Sequence, residues 1–285
     1  MTTGQDVLRK LRAAARSTAD KTGQSAPTQE LLTRHLLESL LDRLSRTEHA
    51  PDFILKGGIL LTAYGARRPT KDIDANAVSA DVTAEHLSTV VRDAAAADVP
   101  DGVEIHPDTI TIQEIREEGD YPGFRIRAQA SIASWAGSLT WDVSTGDPVV
   151  PPPQPVKIPR VIGEPIEVLG YAAETSIAEK GVTILERGIT STRWRDYIDV
   201  VQLAQAGVDV AELRRAAEAV TQYRQVTLEP ISQHLEGYGA VGQVKWAAWR
   251  RRQRLEAVSE ALLDDQVALV AALLDLIFAT EPPVI

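Results

Sequence analysis

The sequence predicts a chain in two parts, a first half of α/β or α+β character on a largely antiparallel sheet and an all-helical second half. Three observations carry this. Between Val103 and Ser144 apolar and polar residues alternate with the period of two expected of half-buried strands. Beyond Glu174 apolar residues recur at three and four positions, as on a helix. Between these stretches, Pro148, Pro151, Pro152, Pro153, Pro155 and Pro159 interrupt both patterns.

The elements follow in order. After the turn-prone Ser25-Ala26-Pro27, the leucines 31, 32, 36, 37, 40, 41 and 44 have helical spacing and predict an amphipathic helix over 29–44. Phe53-Ile54-Leu55 reads as a short buried strand running into Lys56-Gly57-Gly58, with the first turns of a helix over 59–64. A second strand spans 72–78 and a helix spans 83–96. Strands are expected over 103–114, 124–133 and 138–144. The run 148–159 reads as a linker or wrapped connection, with neither helix nor ladder. Helical periodicity then marks 174–187, 197–205, 210–220, 244–262 and 265–278. The expected division is a domain over 1–160 that includes N-terminal helices, then a helical domain over 161–285.

Composition narrows the function classes. Lys+Arg 30 against Asp+Glu 40 leaves a formal charge of -10, which excludes a protein that coats nucleic acid through its whole surface field. Any nucleic-acid contact must be a local basic patch. With Cys 0, disulfides, thiolate metal sites and cysteine nucleophiles are excluded, and a reducing compartment is expected. Residues 1–20 carry Arg9, Lys10, Arg12 and Arg16 without the apolar core of a signal peptide. The longest apolar stretch, 267–279, is broken by Asp275 and falls short of the roughly 20 residues that span a bilayer. A soluble cytoplasmic chain with no membrane partner is expected.

The informative segment runs from Phe53 to Asp74 and ends in Asp72-Ile73-Asp74. Alternation along a strand puts both carboxylates on one side and Ile73 in the core, so two negative charges share a space that a cation would stabilise. Mg²⁺ suits such a pair, because it takes a few carboxylate oxygens together with waters and substrate phosphates. Upstream, Gly57-Gly58 between strand and helix lets backbone N–H groups approach a phosphate chain. Each feature alone is commonplace. Together, in this order, they point to an NTP–Mg²⁺ site.

A two-metal site needs a further carboxylate on a neighbouring strand. In Leu139-Thr-Trp-Asp-Val-Ser144 the apolar residues share one face, which leaves Asp142 on the polar one; its competing reading is an edge-strand Asp facing water, and Asp147 is a weaker competitor. In the helical half, Ser176, Lys180, Thr183 and Arg187 form a polar stripe that could hold a triphosphate, although periodicity alone favours a solvated helix face. Asp196 and Asp199, one helical turn apart, could orient Lys180 or reflect the preference for acids at a helix start. Finally, Trp246 and Trp249 interleave with Lys245, Arg250, Arg251, Arg252 and Arg254. That pattern suits RNA stacking and phosphate contact, but it is more often a pair of core tryptophans under a basic outer face.

The blocks Lys56-Gly57-Gly58, Arg68-Pro-Thr70, Asp72-Ile-Asp74, Glu174, Ala178-Glu-Lys180 and Arg195-Asp196-Tyr-Ile-Asp199 resemble, in this order, the AbiEii/AbiGii nucleotidyltransferase toxins, including their mycobacterial MenT branch. The resemblance covers roughly residues 53–203. It implies an α+β, DNA polymerase β-like nucleotidyltransferase domain, a mixed sheet with flanking helices, followed by a helical domain that contributes Lys180 and Asp196 or Asp199 to the cleft. It further implies the toxin of a toxin–antitoxin pair, with a cognate antitoxin as partner. By the same resemblance Lys56, Gly57, Gly58 and Lys180 bind nucleotide, and Asp72 and Asp74 bind metal; the alternation of 139–144, not the resemblance, adds Asp142 as the candidate third ligand. Asp72, Asp74, Lys180, Asp196 and Asp199 are then the catalytic set. Gly57-Gly58 stands where the wider superfamily often has Gly-Ser, so no hydroxyl is offered there.

The implied reaction moves NMP from an NTP to an acceptor, for related toxins the 3′ end of tRNA, which blocks aminoacylation. Candidate RNA contacts are Arg193, Arg195, Arg250, Arg251, Arg252 and Arg254. A protein nucleotidyltransferase or phosphotransferase would use the same ligands with another hydroxyl acceptor. A non-catalytic nucleotide-binding or antitoxin-binding module is disfavoured by the joint presence of Asp72, Asp74 and Lys180.

Overall fold

The computed structural model describes residues 3–23, 25–66, 68–78, 82–117, 121–146 and 148–279. The chain divides into two compact units. The first comprises Met1–Ala63, Pro69–Gly146 and Pro155–Gly170; the second comprises Tyr64–Arg68, Asp147–Gln154 and Tyr171–Ile285.

The first unit is built on a mixed seven-stranded sheet of order β3-β4-β5-β2-β1-β7-β6. Its strands are β1 (Phe53–Lys56), β2 (Ile73–Ala77), β3 (Glu104–Glu117), β4 (Tyr121–Ile132), β5 (Trp135–Thr145), β6 (Gln154–Ile158) and β7 (Ile166–Gly170). The pairs β1·β2, β3·β4 and β4·β5 are antiparallel, whereas β2·β5 and β1·β7 are parallel. The expected α+β class is therefore observed.

The proline-rich run departs from expectation, because its second half is strand β6 at the sheet edge. An edge position leaves one side of the backbone without a ladder, so Pro155 costs no hydrogen bond that the sheet needs. Strand β7, at 166–170, was not expected at all: Ile-Glu-Val-Leu-Gly is too short to show periodicity against its proline-rich surroundings.

Helix α1 (Gly4–Thr22) starts at a capping box in which Thr3 and Asp6 bond each other's backbone N–H, and ends at Gly23 with φ +67°. Its buried stripe is Val7, Leu8, Leu11 and Ala15. Helix α2 (Thr28–Leu44) buries all seven leucines and also His35, Glu38, Asp42 and Arg43. Burying charge is costly unless it is paired, and Glu38, Asp42 and Arg43 are all paired. Glu38 accepts from Arg34 at 2.6 Å and from the Val161 N–H at 2.9 Å; Asp42 pairs with Arg160 at 2.6 Å; Arg43 pairs with Asp101 at 3.2 Å. Helix α2 lies on the sheet face formed by Ile73, Ala75 and Trp141, with an apolar cavity of about 250 Å³ between them. The single turn α3 (Gly57–Leu60) follows β1, and α4 (Ala84–Ala96) packs beside β3.

The second unit contains α5 (Ala173–Arg187), α6 (Trp194–Gln205), α7 (Val210–Arg224), α8 (Tyr238–Gln253) and α9 (Leu263–Phe278). Helix α5 buries Ile177, Val182 and Leu185, and Gly181 lets α9 approach closely: a Cβ there would lie 2.8 Å from Leu274 and Phe278. Helix α8 ends nine residues before the expected 262. Arg254 turns left-handed at φ +57° and its N–H caps the helix, while Leu255, Val258 and Leu262 continue the apolar spacing as irregular chain and so mimic a longer helix.

Candidate active site

In the first unit a row of charge crosses four neighbouring strands. Arg125 on β4 opposes Asp142 on β5, Asp142 opposes Asp74 on β2, and Asp74 opposes Lys56 on β1. Residues in register share a sheet face, so the row reads positive, negative, negative, positive on one surface. The face is set by burial: Ile73, Trp141 and Val143 sit at 1% exposure on the opposite side. Asp72 lies at the bend just before β2, where its Oδ1 accepts from Thr70 Oγ1 at 2.9 Å. Asp72, Asp74 and Asp142 are all half-buried.

Gly57 shapes this surface. Its φ is +68°, a region that L side chains rarely adopt, and a Cβ there would lie 1.9 Å from Asp74 Oδ2. The Asp74 carboxylate thus occupies the space that any other residue at 57 would fill. Gly58 is buried in the turn that follows.

Arg125 was not singled out from the sequence. It holds Asp142 through two bonds, Nε to Oδ1 at 2.8 Å and a terminal nitrogen to Oδ2 at 2.5 Å. These bonds, followed by the charges of Asp142, Asp72 and Asp74, outweigh partial burial and raise the guanidinium pKa above its ordinary value. The available signal was an Arg on one predicted strand and an Asp on the next, but their register is not readable from periodicity. An all-oxygen set of half-buried carboxylates beside a glycine without Cβ fits a hard divalent ion such as Mg²⁺, which keeps positions for water and phosphate. Asp147 lies outside the described residues.

In the second unit Lys180 sits in a buried ion network, so the solvated helix face that periodicity favoured is not what forms. Its Nζ lies 2.9 Å from both Asp196 Oδ1 and Asp199 Oδ2. Asp199, fully buried, also accepts from Arg68 Nε at 2.9 Å and from a terminal Arg68 nitrogen at 3.1 Å. Asp196 accepts from Arg193 Nε at 2.8 Å. Burial opposes the Lys180 ammonium, yet Asp196 and Asp199 together outweigh it and raise its pKa. Burial likewise opposes the Asp196 carboxylate, but Lys180 and Arg193 bring it down to about 2. Asp199 is lowered in the same way against its burial, by Lys180 and Arg68. On the same stripe Ser176 is buried, and Thr183 donates to the Glu179 carbonyl and accepts from Arg224.

The tryptophan cluster is core. Trp246 and Trp249 stack at 5.5 Å with exposures of 0% and 7%, and Trp194 meets both edge-on. They are therefore not stacking platforms for RNA. Arg250 is buried too: its guanidinium bonds Ser259 Oγ at 2.9 Å and the Ser259 carbonyl at 2.8 Å while lying over the Trp246 ring. Arg251, Arg252 and Arg254 are exposed, as are Arg193 and Arg195 at the start of α6.

No helix among the described residues is long and apolar enough to cross a membrane. No curated protein matches the chain. Among solved structures, JHP933 from Helicobacter pylori aligns with a TM-score of 0.50 at 17% identity, covering 88% of this chain and 92% of that one. A provisionally assigned nucleotidyltransferase from H. pylori aligns with a TM-score of 0.50 at 18% identity, covering 88% and 95%. These likenesses concern the fold. Residues 39–270 match the family described as nucleotidyl transferase AbiEii toxin, type IV TA system, a match that spans most of the chain. The protein is thus a nucleotidyltransferase and belongs to the AbiEii toxin family of type IV toxin–antitoxin systems.

Proposed function

We propose that the protein transfers a nucleoside monophosphate from an NTP to an RNA hydroxyl, the 3′ end of tRNA, in a Mg²⁺-dependent reaction that blocks aminoacylation and translation. The observation that carries this reading is the charge row Arg125, Asp142, Asp74 and Lys56 with Asp72 beside it. In it Asp72 and Asp74 would hold Mg²⁺, with Asp142 as the third carboxylate. The ion supplies charge neutralisation on the phosphates and orientation of the attacking oxygen. Arg125 holds Asp142 in place through two bonds, which sets the carboxylates before substrate arrives. Gly57 leaves room for the Asp74 carboxylate and, with Gly58 and Lys56, forms the backbone turn to which phosphate oxygens are assigned.

The role that the resemblance gives Lys180, binding nucleotide phosphate, asks for an ammonium that stays charged and stays put. Asp196 and Asp199 provide both. Acting through Lys180, they are positioning residues in this reading. An RNA acceptor is favoured over a protein one by the exposed cations Arg193, Arg195, Arg251, Arg252 and Arg254, local patches on a chain of net charge -10.

The test incubates the protein with each labelled NTP and total cell extract, with and without Mg²⁺, then separates tRNA, other RNA and protein. Label is expected in tRNA, removed by nuclease, and absent with Asp72→Ala or Asp74→Ala. Label in the protein fraction alone, or equal labelling by these variants, sinks the proposal.

A further inference from the structure

At the end of β1 remote from Gly57 lies a second cluster of donors, this one containing nitrogen. His49 precedes a short 3₁₀ turn, Ala50–Asp52, closed by the Asp52 N–H on the His49 carbonyl at 3.0 Å. Residues three apart eclipse on a 3₁₀ turn, so His49 and Asp52 project to one side. Facing them is the first turn of α4, where the His86 N–H donates to Thr83 Oγ1 at 3.1 Å. Asp93, seven residues on, lies on the same face of that helix.

Two of the 5 histidines of the chain meet here, their rings 5.6 Å apart and nearly perpendicular. Ligand atoms of His49, Asp52 and His86 all lie within 4.8 Å of one another. His49 Nε2 is 2.9 Å from Asp93 Oδ2. The His86 Nε2 atom is buried and has no hydrogen-bond partner among the described residues. A buried ring nitrogen without a partner needs a reason, and a metal ion would satisfy it.

We propose that His49, Asp52 and His86 form a binding site for a divalent transition ion, Zn²⁺ foremost, separate from the oxygen-only aspartate surface. Two imidazoles and a carboxylate are a donor set that Zn²⁺ accepts and Mg²⁺ does not prefer. A tetrahedral ion with bonds of about 2.0–2.1 Å holds its donors about 3.3 Å apart, so small side-chain rotations close the three groups on it. Asp93 stands where a carboxylate usually orients a ligating histidine through its other ring nitrogen. The ion would tie the turn before β1 to α4, and three protein ligands leave a fourth position for water.

The test uses untagged full-length protein carrying Asp72→Asn and Asp74→Asn, which silences the aspartate surface, stripped with a chelator. Zn²⁺ is titrated in competition with a chromophoric chelator. One equivalent is expected to bind, to survive excess Mg²⁺, and to be lost on adding His49→Gln or His86→Gln. Asp93→Asn is expected to keep the stoichiometry with affinity about 10–100-fold weaker. Co²⁺ added to the chain with both histidines intact should give the strong visible absorption of tetrahedral coordination, which Zn²⁺ then abolishes; this arm requires no histidine variant to fold. Less than one equivalent of Zn²⁺, an equivalent that survives both histidine substitutions, or only weak octahedral Co²⁺ absorption overturns the site.

Discussion

Replacing Asp199 with alanine removes a fully buried charge of the second unit. Its carboxylate is 0% exposed and serves two cations at once, Arg68 through two bonds and Lys180 through one. Removing one partner of a buried ion pair leaves the other desolvated and costs about 3–5 kcal/mol. Lys180 keeps Asp196, but Arg68, itself only 8% exposed, loses its bidentate partner. The loss should therefore fall within that range, a large share of the roughly 5–15 kcal/mol that holds a domain together. Denaturation by urea, followed through the fluorescence of Trp194, Trp246 and Trp249 in the same unit, reads it as a lower midpoint with unchanged slope. Asp196→Ala should lose less, about 2 kcal/mol, because Arg193 is 46% exposed and can turn to water. A loss under about 1 kcal/mol for Asp199→Ala would refute the network as a support. So would a stable Asp199→Ala variant that has lost transfer, since Asp199 would then act in the chemistry rather than in holding Lys180.

Other outcomes follow from the same geometry. Gly57→Ala should abolish transfer and destabilise the chain by about 1–2 kcal/mol from its left-handed backbone, with the Cβ displacing Asp74; wild-type transfer rates would refute the close approach. Asp72→Ala and Asp74→Ala should lose transfer while circular dichroism melts stay within a few degrees, because each removes one of two like charges. The Asp196 carboxylate, held at about 2 against 3.8 unfolded, contributes about 2 kcal/mol that is fully present above pH about 4 and lost as pH falls through about 2. Asp196→Asn should flatten that part of an acid titration of stability, and an unchanged acid limb counts against it. Arg251→Gln with Arg252→Gln should weaken RNA binding and reduce its salt dependence without altering NTP affinity, whereas Arg250→Gln should act on stability instead; RNA affinity equal to that of the parent across a salt series would move the acceptor elsewhere.

What could be read from the chain follows from which physical signals are local. Alternation placed Leu139, Trp141 and Val143 inward and Asp142 outward, and the strand forms that way because period two is a property of the strand itself. The leucines of α2 were legible for the same reason. The partner of Asp142 was not, because Arg125 becomes its neighbour only through the register of β4 on β5. Lys180 shows the limit of helical periodicity: a polar stripe looks the same whether water or two carboxylates face it. Burial of Trp246 and Trp249 was the alternative their spacing favoured, and Arg250 went with them because its guanidinium lies over the Trp246 ring and bonds Ser259. Strand β6 was hidden by prolines whose effect depends on edge position, which only the finished sheet defines, and β7 by its shortness.

Strand β7 has a consequence for how the chain can be cut or made. Its place beside β1 joins residues 53–56 to 166–170, so the sheet lacks one side of β1 until the chain has passed the proline-rich run. A fragment ending at residue 160 would present the backbone of Phe53-Ile-Leu-Lys as an open, apolar edge, which invites pairing with another copy. During synthesis the same edge stays uncovered while more than a hundred residues are added, an interval in which a waiting partner or chaperone could take hold of it. Expression boundaries for the first unit therefore belong beyond Gly170, and shorter fragments should be recovered as aggregates.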